Sequence, residues 1–139
     1  MNENFKNKKI LIVDDTAFMR NALCKILTEL GFPLGYIEQA ENGKVGLEIL
    51  NKTYAEKKQP FDLVFCDWNM PGISGVDVLK HLRTIDPTLP FVMITGRGDR
   101  ESVKEAKKSG ASGHILKPFT PEQLEAKIRI VMQKRARVA

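Results

Sequence analysis

The sequence is poor in cysteine and lacks any long hydrophobic run, and both shortages exclude classes of protein. Its only cysteines are Cys24 and Cys66, and neither belongs to a CxxC pair or a Cys/His cluster. A disulfide scaffold or a zinc site is therefore not expected, and buried free thiols are. No apolar run approaches the length of a membrane span, and the polar N-terminus lacks a signal-peptide core. We therefore predict a cytoplasmic protein without membrane insertion.

What is present is the composition of a globular domain. Hydrophobic residues make up 42% of the 139 residues and charged residues 28%, which is enough apolar material for a core and too little charge for disorder. The length suits one domain. We predict a single domain over 1–139, with a short polar lead at 1–7 and a basic helix end at 134–139.

The charge balance is basic, with a net charge of +5 and a sequence pI near 9.3. Much of the excess lies at the two ends of the chain, and the C-terminal cluster falls where cations complement a helix dipole. No helix-turn-helix, zinc or RNA-binding signature accompanies it. Direct nucleic-acid binding is therefore the less favoured interpretation, and we predict no nucleic-acid partner.

Short apolar runs alternate with segments of helical periodicity along the whole chain. The predicted strands are 8–13, 36–40, 63–66, 91–95 and 112–116. Helices are predicted to begin after Thr16, Asn42, Ser74, Asp99 and Thr120, all residue types that cap helix N-termini. Five strands, five helices and short connections predict an α/β fold, a doubly wound five-stranded parallel sheet with helices on two faces.

Polar side chains gather at the carboxyl ends of the predicted strands. Asp14 and Asp15 follow the first strand, Asp67 the third and Thr95 ends the fourth, while Lys117 comes just after the fifth. In such a sheet these ends meet at one edge, where ligands bind. Three carboxylates there repel one another unless a cation compensates, and all-oxygen ligands favour Mg²⁺.

The same set of charges suggests phosphoryl chemistry. With Mg²⁺ and Lys117 the three carboxylates come close to neutrality, so that one further anion is accepted. Thr95 can donate a hydrogen bond to a phosphoryl oxygen, and an aspartate can act as the nucleophile. The alternative is an unrelated acidic pair, a strand-end threonine and a lysine, each of which is common alone.

At these residues the chain resembles the CheY-like receiver domains of response regulators, of the chemotaxis type. The resemblance runs from about 8 to 133. The matching stretches are Ile-Leu-Ile-Val-Asp14-Asp15 with Met19-Arg20, Cys-Asp67-Trp-Asn-Met-Pro-Gly, Met-Ile-Thr95-Gly, Gly110-Ala-Ser-Gly and Lys117-Pro118-Phe119. The resemblance, rather than the periodicity, implies the strand order 2-1-3-4-5, for which CheY itself is a reference example.

The resemblance also implies roles for the site residues. Asp67 would be phosphorylated by a sensor histidine kinase, and Thr95 and Lys117 would contact the phosphoryl oxygens. The implied Mg²⁺ ligands are Asp15, Asp67 and the backbone carbonyl of Asn69, with Asp14 assisting through water. The bond between Lys117 and Pro118 would be cis. The chain would be a regulator and not an enzyme, apart from its own phosphoryl uptake and autodephosphorylation.

The expected output is a protein contact that depends on phosphorylation. Phosphorylation would draw Thr95 inward and remodel the face made by the fourth helix, fifth strand and fifth helix, which would bind a target such as the flagellar switch. A phosphatase is a further expected partner. We expect a monomer, with dimerisation through the same face as the alternative.

One position departs from the family pattern, and two others lie where members of the family vary. His114 stands where the fifth strand usually carries the Tyr or Phe that swings inward, so it is either the switch residue, with a pH-sensitive output, or an ordinary half-exposed histidine. Arg97 and Asn69 lie where residues tune phosphoryl lifetime, although Arg97 also fits a solvated surface arginine.

Other functions remain open at this point. An Mg²⁺-dependent phosphatase with an aspartate nucleophile usually carries a second Asp two residues on, where this chain has Asn69. A flavodoxin-like protein would have a Ser, Thr and Gly-rich loop after its first strand, where Asp14 and Asp15 would repel phosphate. A phosphate sink, a relay in another pathway and a receiver that only scaffolds are the remaining readings.

Overall fold

The computed structural model describes residues 5–57, 60–96 and 100–138, with side chains as far as 135. The predictions made for Arg97 and for Asp99 as a helix cap lie outside the described residues. The strands are β1 Ile10–Val13, β2 Ile37–Ala40, β3 Leu63–Asp67, β4 Phe91–Thr95 and β5 Gly113–Leu116. The helices are α1 Ala17–Leu30, α2 Gly43–Ala55, α3 Gly75–Ile85, α4 Arg100–Lys108 and α5 Pro121–Val138. A short 3-10 helix, Leu34–Tyr36, precedes β2.

The five strands form one parallel sheet in the order β2-β1-β3-β4-β5, which confirms the predicted fold and strand order. The register aligns the strand ends, since Val13 pairs with Cys66, and Asp67 pairs with Ile94. The carboxyl ends of the three central strands therefore lie along one edge, called here the acidic edge after the carboxylates it carries. We call the opposite edge, where these strands begin, the amino edge.

Each face of the sheet has its own core. Alternate residues of β1 point to opposite faces, with Ile10 and Ile12 on one and Leu11 and Val13 on the other. The first face packs against α1 and α5, the second against α2, α3 and Ala106 of α4. The three central strands β1, β3 and β4 are buried on both sides, which explains their nearly continuous apolar sequences. Among the described residues, no helix has the length and apolarity needed to cross a membrane.

Local signals fix the helix ends much as predicted. Thr16 and Asn42 cap α1 and α2 through their side-chain oxygens, and Gly31 ends α1 with a φ of 113°. Ser74 and Asp77 form a reciprocal capping box at α3. Cys24 and Cys66 are free and buried, as the sequence analysis predicted.

Phe5, which belongs to the short polar lead predicted at 1–7, is part of the core. Phe5 is 3% exposed. Its ring stacks on Phe32, with centroids 4.2 Å apart and an interplanar angle of 9°. The Arg129 guanidinium lies over the ring of Phe5, 5.4 Å from its centroid. A single aromatic residue in a polar stretch has no periodicity, so the pattern did not reveal it.

A polar network links α2, the end of α3 and α5 at the amino edge. Asp86, at the end of α3, accepts a 2.5 Å hydrogen bond from the Tyr54 hydroxyl and lies 3.6 Å from a guanidinium nitrogen of Arg135. Arg135 also donates to the carbonyl of Phe61, and Lys134 donates to the carbonyl of Ser112. The basic end of α5 thus has specific acceptors, in addition to the dipole effect from which it was predicted.

Candidate functional site

Three aspartates meet at the acidic edge. Asp14 and Asp15 follow β1, and Asp67 is the last residue of β3, beside β1 in the sheet. One carboxylate oxygen from each lies within 4.8 Å of the others. Asp14 and Asp67 are buried, while Asp15 is exposed. The site is therefore a shallow acidic pocket with one open side.

Asp14 is held in place by its neighbours. Its Oδ1 accepts hydrogen bonds from the backbone N–H and the hydroxyl of Thr16, both at 2.9 Å. Its backbone carbonyl accepts a 2.7 Å bond from Arg20, which also donates to Gln39 on β2. The other oxygen of Asp14, Oδ2, is buried and has no hydrogen-bond partner in the described part of the chain. One lone-pair-rich oxygen is thus directed into the pocket.

Lys117 is the cation of the pocket. Its Nζ lies 3.5 Å from Oδ1 of Asp67 and 3.8 Å from Oδ2 of Asp14. The peptide bond to Pro118 is cis. The Lys117 backbone N–H donates to the carbonyl of Thr95 at 2.8 Å, so the two residues are joined through the backbone.

Thr95 contributes an unsatisfied hydroxyl. The residue is 4% exposed, and its Oγ1 has no hydrogen-bond partner among the described residues. Buried polar atoms are nearly always paired, and an orphan costs about 1–3 kcal/mol. A hydroxyl left without a partner at the end of β4, beside the carboxylates, is available to a ligand that enters the pocket.

The electrostatics of the pocket disfavour a third negative charge. The pKa of Asp67 is raised from 3.8 to about 6, first by burial and also by the charges of Asp14 and Asp15. Lys117 and the backbone N–H of Asn69 act in the opposite direction but do not cancel the effect. An added cation would remove this repulsion, and three carboxylates with an unpartnered Asp14 oxygen fit a hard, oxygen-loving ion such as Mg²⁺.

Gly75 lets α3 begin directly beneath the pocket. Its N–H donates to the carbonyl of Trp68. A Cβ at this position would collide with the backbone carbonyl oxygen of Asp67 and would lie 3.0 Å from Sδ of Met93. The backbone that carries Asp67 is therefore packed against a residue without a side chain.

We expect Gly75→Ala to lower the free energy of unfolding by about 1–3 kcal/mol, because a backbone oxygen cannot move aside as a flexible side chain can. Gly35→Ala is the matched control, since a Cβ there would have no atom within 4 Å. Urea unfolding monitored by circular dichroism measures both. Equal effects of the two substitutions would contradict the packing argument.

The structure brings together most of the residues chosen from the sequence. Asp14, Asp15, Asp67, Thr95 and Lys117 share the pocket. Asn69 is exposed beside them, and its backbone N–H reaches Asp67. Arg97 lies outside the described residues.

His114 lies apart from the acidic pocket. It is half-buried and lines a cavity of about 280 Å³ between α4 and α5. Lys107, Lys127 and Lys134 line the same cavity. This places His114 on the face to which the sequence analysis assigned target binding.

Two residues of the site received no role from the sequence. Arg20 supports the Asp14 backbone, and Gly75 supports that of Asp67. Arg20 did belong to a matched motif, which could have indicated its importance. Gly75 stands next to a capping serine, where glycine is unremarkable, so no sequence signal pointed to it.

Comparison with known proteins gives consistent matches over nearly the whole chain. The family model of the response regulator receiver domain matches residues 10–129. Chemotaxis protein CheY-3 of Vibrio cholerae serotype O1 is 40% identical over 131 residues, covering 93% of this chain and 95% of that protein. Chemotaxis protein CheY of Pseudomonas aeruginosa is 35% identical over 128 residues, covering 91% and 97%. A response regulator receiver domain protein from Clostridium thermocellum has a TM-score of 0.83 at 26% identity, covering 95% of this chain and 99% of that one.

Proposed function

The chain belongs to the response regulator receiver domain family as a CheY-like member, and from that membership we propose that phosphorylation of Asp67 switches its binding to a target protein. The observation that carries the proposal is the position of Asp67. Its carboxylate lies 3.5 Å from the Lys117 ammonium, in a pocket that also holds the unpartnered hydroxyl of Thr95. A nucleophile, a cation and a free hydrogen-bond donor are the groups that phosphoryl transfer requires.

The phosphodonor is the phosphohistidine of a sensor histidine kinase. An oxygen of Asp67 attacks phosphorus, the N–P bond breaks, and the imidazole leaves with the electron pair and takes up a proton from solvent. The product is an acyl phosphate on Asp67 and a neutral histidine on the kinase. Asp67 must be ionised to attack, and with a pKa of about 6 it is mostly ionised at neutral pH. Lys117 and Thr95 bind the oxygens of the transferred group.

Asp15, Asp67 and the backbone carbonyl of Asn69 would hold Mg²⁺, and Asp14 would assist through water. The ion, when bound, neutralises charge that develops on the phosphoryl oxygens. The chain's own contribution is to keep the carboxylates close despite their repulsion. Thr16 and Arg20 do this for Asp14, and Gly75 permits it for Asp67.

The output runs through the face formed by α4, β5 and α5. Thr95 moves toward the phosphoryl group, and the face is remodelled for a target in chemotaxis such as the flagellar switch. The chemotaxis relatives, at 35–40% identity, support this type of target. Asn69 and Arg97 tune the lifetime of the acyl phosphate and its access to a phosphatase. A phosphate sink or a relay is the alternative role of the same chemistry.

His114 is the switch residue of this output face, in place of the usual aromatic residue. Burial, followed by the charge of Lys127, lowers its pKa below 6.5, so the ring is neutral at pH 7. We expect NMR to show the His114 ring titrating below pH 6.5 and Lys127→Gln to raise that midpoint. A midpoint at or above 6.5 would contradict this environment. If His114→Tyr changed neither target binding nor its pH profile, the role as a switch would be wrong.

Trp68, the only tryptophan, gives a direct test because it follows Asp67 in the chain. Its fluorescence is recorded while Mg²⁺ and then acetyl phosphate are added. We expect a saturable response to Mg²⁺ and a second change with the donor, accompanied by the mass of one phosphoryl group. The second change should be absent in Asp67→Asn.

The alternatives predict other results in the same experiment. A flat trace with both additions and no mass increase would leave scaffolding as the function. Continuous release of phosphate from an unrelated phosphate ester would favour the aspartate phosphatase. Both results would overturn the proposed switch.

A further inference from the structure

Another polar cavity opens at the amino edge, away from the aspartates. It measures about 220 Å³, and Arg83, Lys134 and Arg135 line it together with Thr88 and Ser112. β4 separates the two ends of the sheet, and its five residues span on the order of 13 Å. The cavity is therefore distinct from the site proposed for phosphorylation.

Arg83 is oriented by neutral acceptors. Its Nε donates to the carbonyl of Gly110 at 2.9 Å, and its terminal nitrogens contact the carbonyl of Asp86 at 3.1 Å and Oγ of Ser112 at 3.5 Å. Gly110 has a φ of 102°, and a Cβ there would lie 3.1 Å from Nε of Arg83. These contacts fix the orientation of the Arg83 guanidinium, but they do not neutralise its charge.

Positive charge exceeds negative charge in this cavity. The carboxylate that adjoins it belongs to Asp86, and its oxygens already accept hydrogen bonds from Tyr54, Thr88 and Leu89. Burial lowers the pKa of Arg83; Asp86 opposes that shift and Arg135 adds to it. Among the described residues, two guanidinium groups and one ammonium therefore stand against a single carboxylate, that of Asp86.

Hydrogen-bond donors also remain. A guanidinium has five N–H donors, of which the contacts of Arg83 use three. Oγ of Ser112 accepts from the Phe91 N–H at 3.0 Å and from Arg83, which leaves its own hydrogen to donate. Lys134 has three donors and gives one to the Ser112 carbonyl.

We propose that this cavity binds a phosphate monoester, with Arg83, Arg135 and Lys134 as its charged contacts and the Ser112 hydroxyl as a neutral donor. Guanidinium forks match the geometry of phosphate oxygens, and a dianion would supply the missing negative charge. The small volume limits the ligand to a compact group, below the range of typical drug-sized pockets. The proposal is independent of the chemistry at Asp67.

The test is an NMR titration of the full chain with inorganic phosphate at constant ionic strength, without divalent cations so that the aspartates repel the anion. We expect saturable shifts at the amides of Thr88, Gly110 and Ser112. Adenosine monophosphate should produce the same shifts. Vesicles that contain phosphatidic acid should not bind more tightly than inorganic phosphate or adenosine monophosphate. Binding to the vesicles alone would overturn the proposal of a small soluble ligand.

Matched variants distinguish binding in this cavity from nonspecific attraction of an anion to a basic protein. Lys134→Gln is expected to weaken binding about tenfold, the value of one charge-assisted hydrogen bond, while Lys25→Gln on α1 should leave it unchanged. Both side chains are exposed lysines, and urea unfolding of each variant checks that the fold is intact. Arg83→Gln should abolish saturation. Equal weakening by Lys134→Gln and Lys25→Gln, or shifts that grow linearly with phosphate, would overturn the proposal.

Discussion

Asp67→Asn is expected to abolish phosphoryl uptake and, without divalent cations, to make the protein more stable by about 1–2 kcal/mol. The first effect follows because an amide is not a nucleophile for phosphorus. The second follows because the pKa of Asp67 is raised to about 6 even though Lys117 opposes the shift. The surroundings therefore disfavour the charge overall, and the open side of the pocket keeps the cost modest through solvent screening.

The pH dependence gives this prediction a definite sign. The folded protein binds the Asp67 proton more tightly than the unfolded chain, so stability falls as pH rises from about 3.8 to about 6. The advantage of Asp67→Asn should appear over that range and be complete above it. Urea unfolding at several pH values measures the difference, and mass spectrometry after acetyl phosphate measures the uptake.

Glu48→Gln is the control for the loss of one negative charge, because Glu48 is exposed on α2. It should change neither stability nor phosphoryl uptake. Mg²⁺ should stabilise the wild type more than Asp67→Asn, since an ion that binds only the folded state adds to its stability. A variant less stable than the wild type at pH 7 would show that Lys117 outweighs the repulsion.

Asp86→Ala is expected to lower the free energy of unfolding by about 3–5 kcal/mol, although Asp86 lies at the edge opposite the aspartate pocket. The residue is 9% exposed. Its removal leaves the N–H groups of Thr88 and Leu89, the hydroxyl of Tyr54 and the charge of Arg135 without their acceptor. Breaking such a buried arrangement leaves every former partner with its desolvation cost.

This effect too should depend on pH. Burial alone would raise the pKa of Asp86, but the hydrogen bonds from Tyr54, Thr88 and Leu89 and the charge of Arg135 lower it below 3.8. The stabilisation is present above the unfolded value and disappears as pH falls through the lowered folded value. Wild type and Asp86→Ala should therefore differ most near pH 7 and converge in acid.

Two tyrosine variants check the mechanism. Tyr54→Phe removes one of the donors and should cost about 1–2 kcal/mol. Tyr36→Phe changes an exposed tyrosine and should have no measurable effect. Thermal and urea unfolding provide both values. A loss below about 1 kcal/mol for Asp86→Ala would mean that solvent replaces the lost contacts and that the network does not fasten the amino edge.

The parts of this molecule that could be predicted from the sequence depend on local or periodic signals. Asp14, Asp67 and Thr95 could be grouped in advance because parallel strands end at the same edge, whatever the packing around them. The helix caps Thr16 and Asn42 were equally local. Contacts between distant segments gave no such signal.

The amino edge illustrates that limit. Tyr54 and Asp86 are 32 residues apart, and Arg135 and Phe61 are 74 apart. No spacing rule relates such positions, because only the packing of α2, α3 and α5 brings them together. Phe5 was missed for a related reason, since its partner Phe32 lies beyond the whole of α1.

The backbone hydrogen bond between Lys117 and Thr95 joins the ends of β4 and β5. The sheet thus has two halves, β1 with β3 and β4 with β5. β1 and β3 lead to the carboxylates, whereas β4 ends at Thr95 and β5 leads into Lys117, whose backbone N–H donates to the Thr95 carbonyl at 2.8 Å. A phosphoryl group attached to Asp67 would bridge the ends of β3 and β4. Because Thr95 and Lys117 are hydrogen-bonded to each other, both would move together toward that group. In the proposed function, the half with β1 and β3 would accept the phosphoryl group, and the half with β4 and β5 would transmit the change to the target. Substitutions on the surface around β5 can therefore change what that surface binds and leave the carboxylates beside β1 and β3 in place.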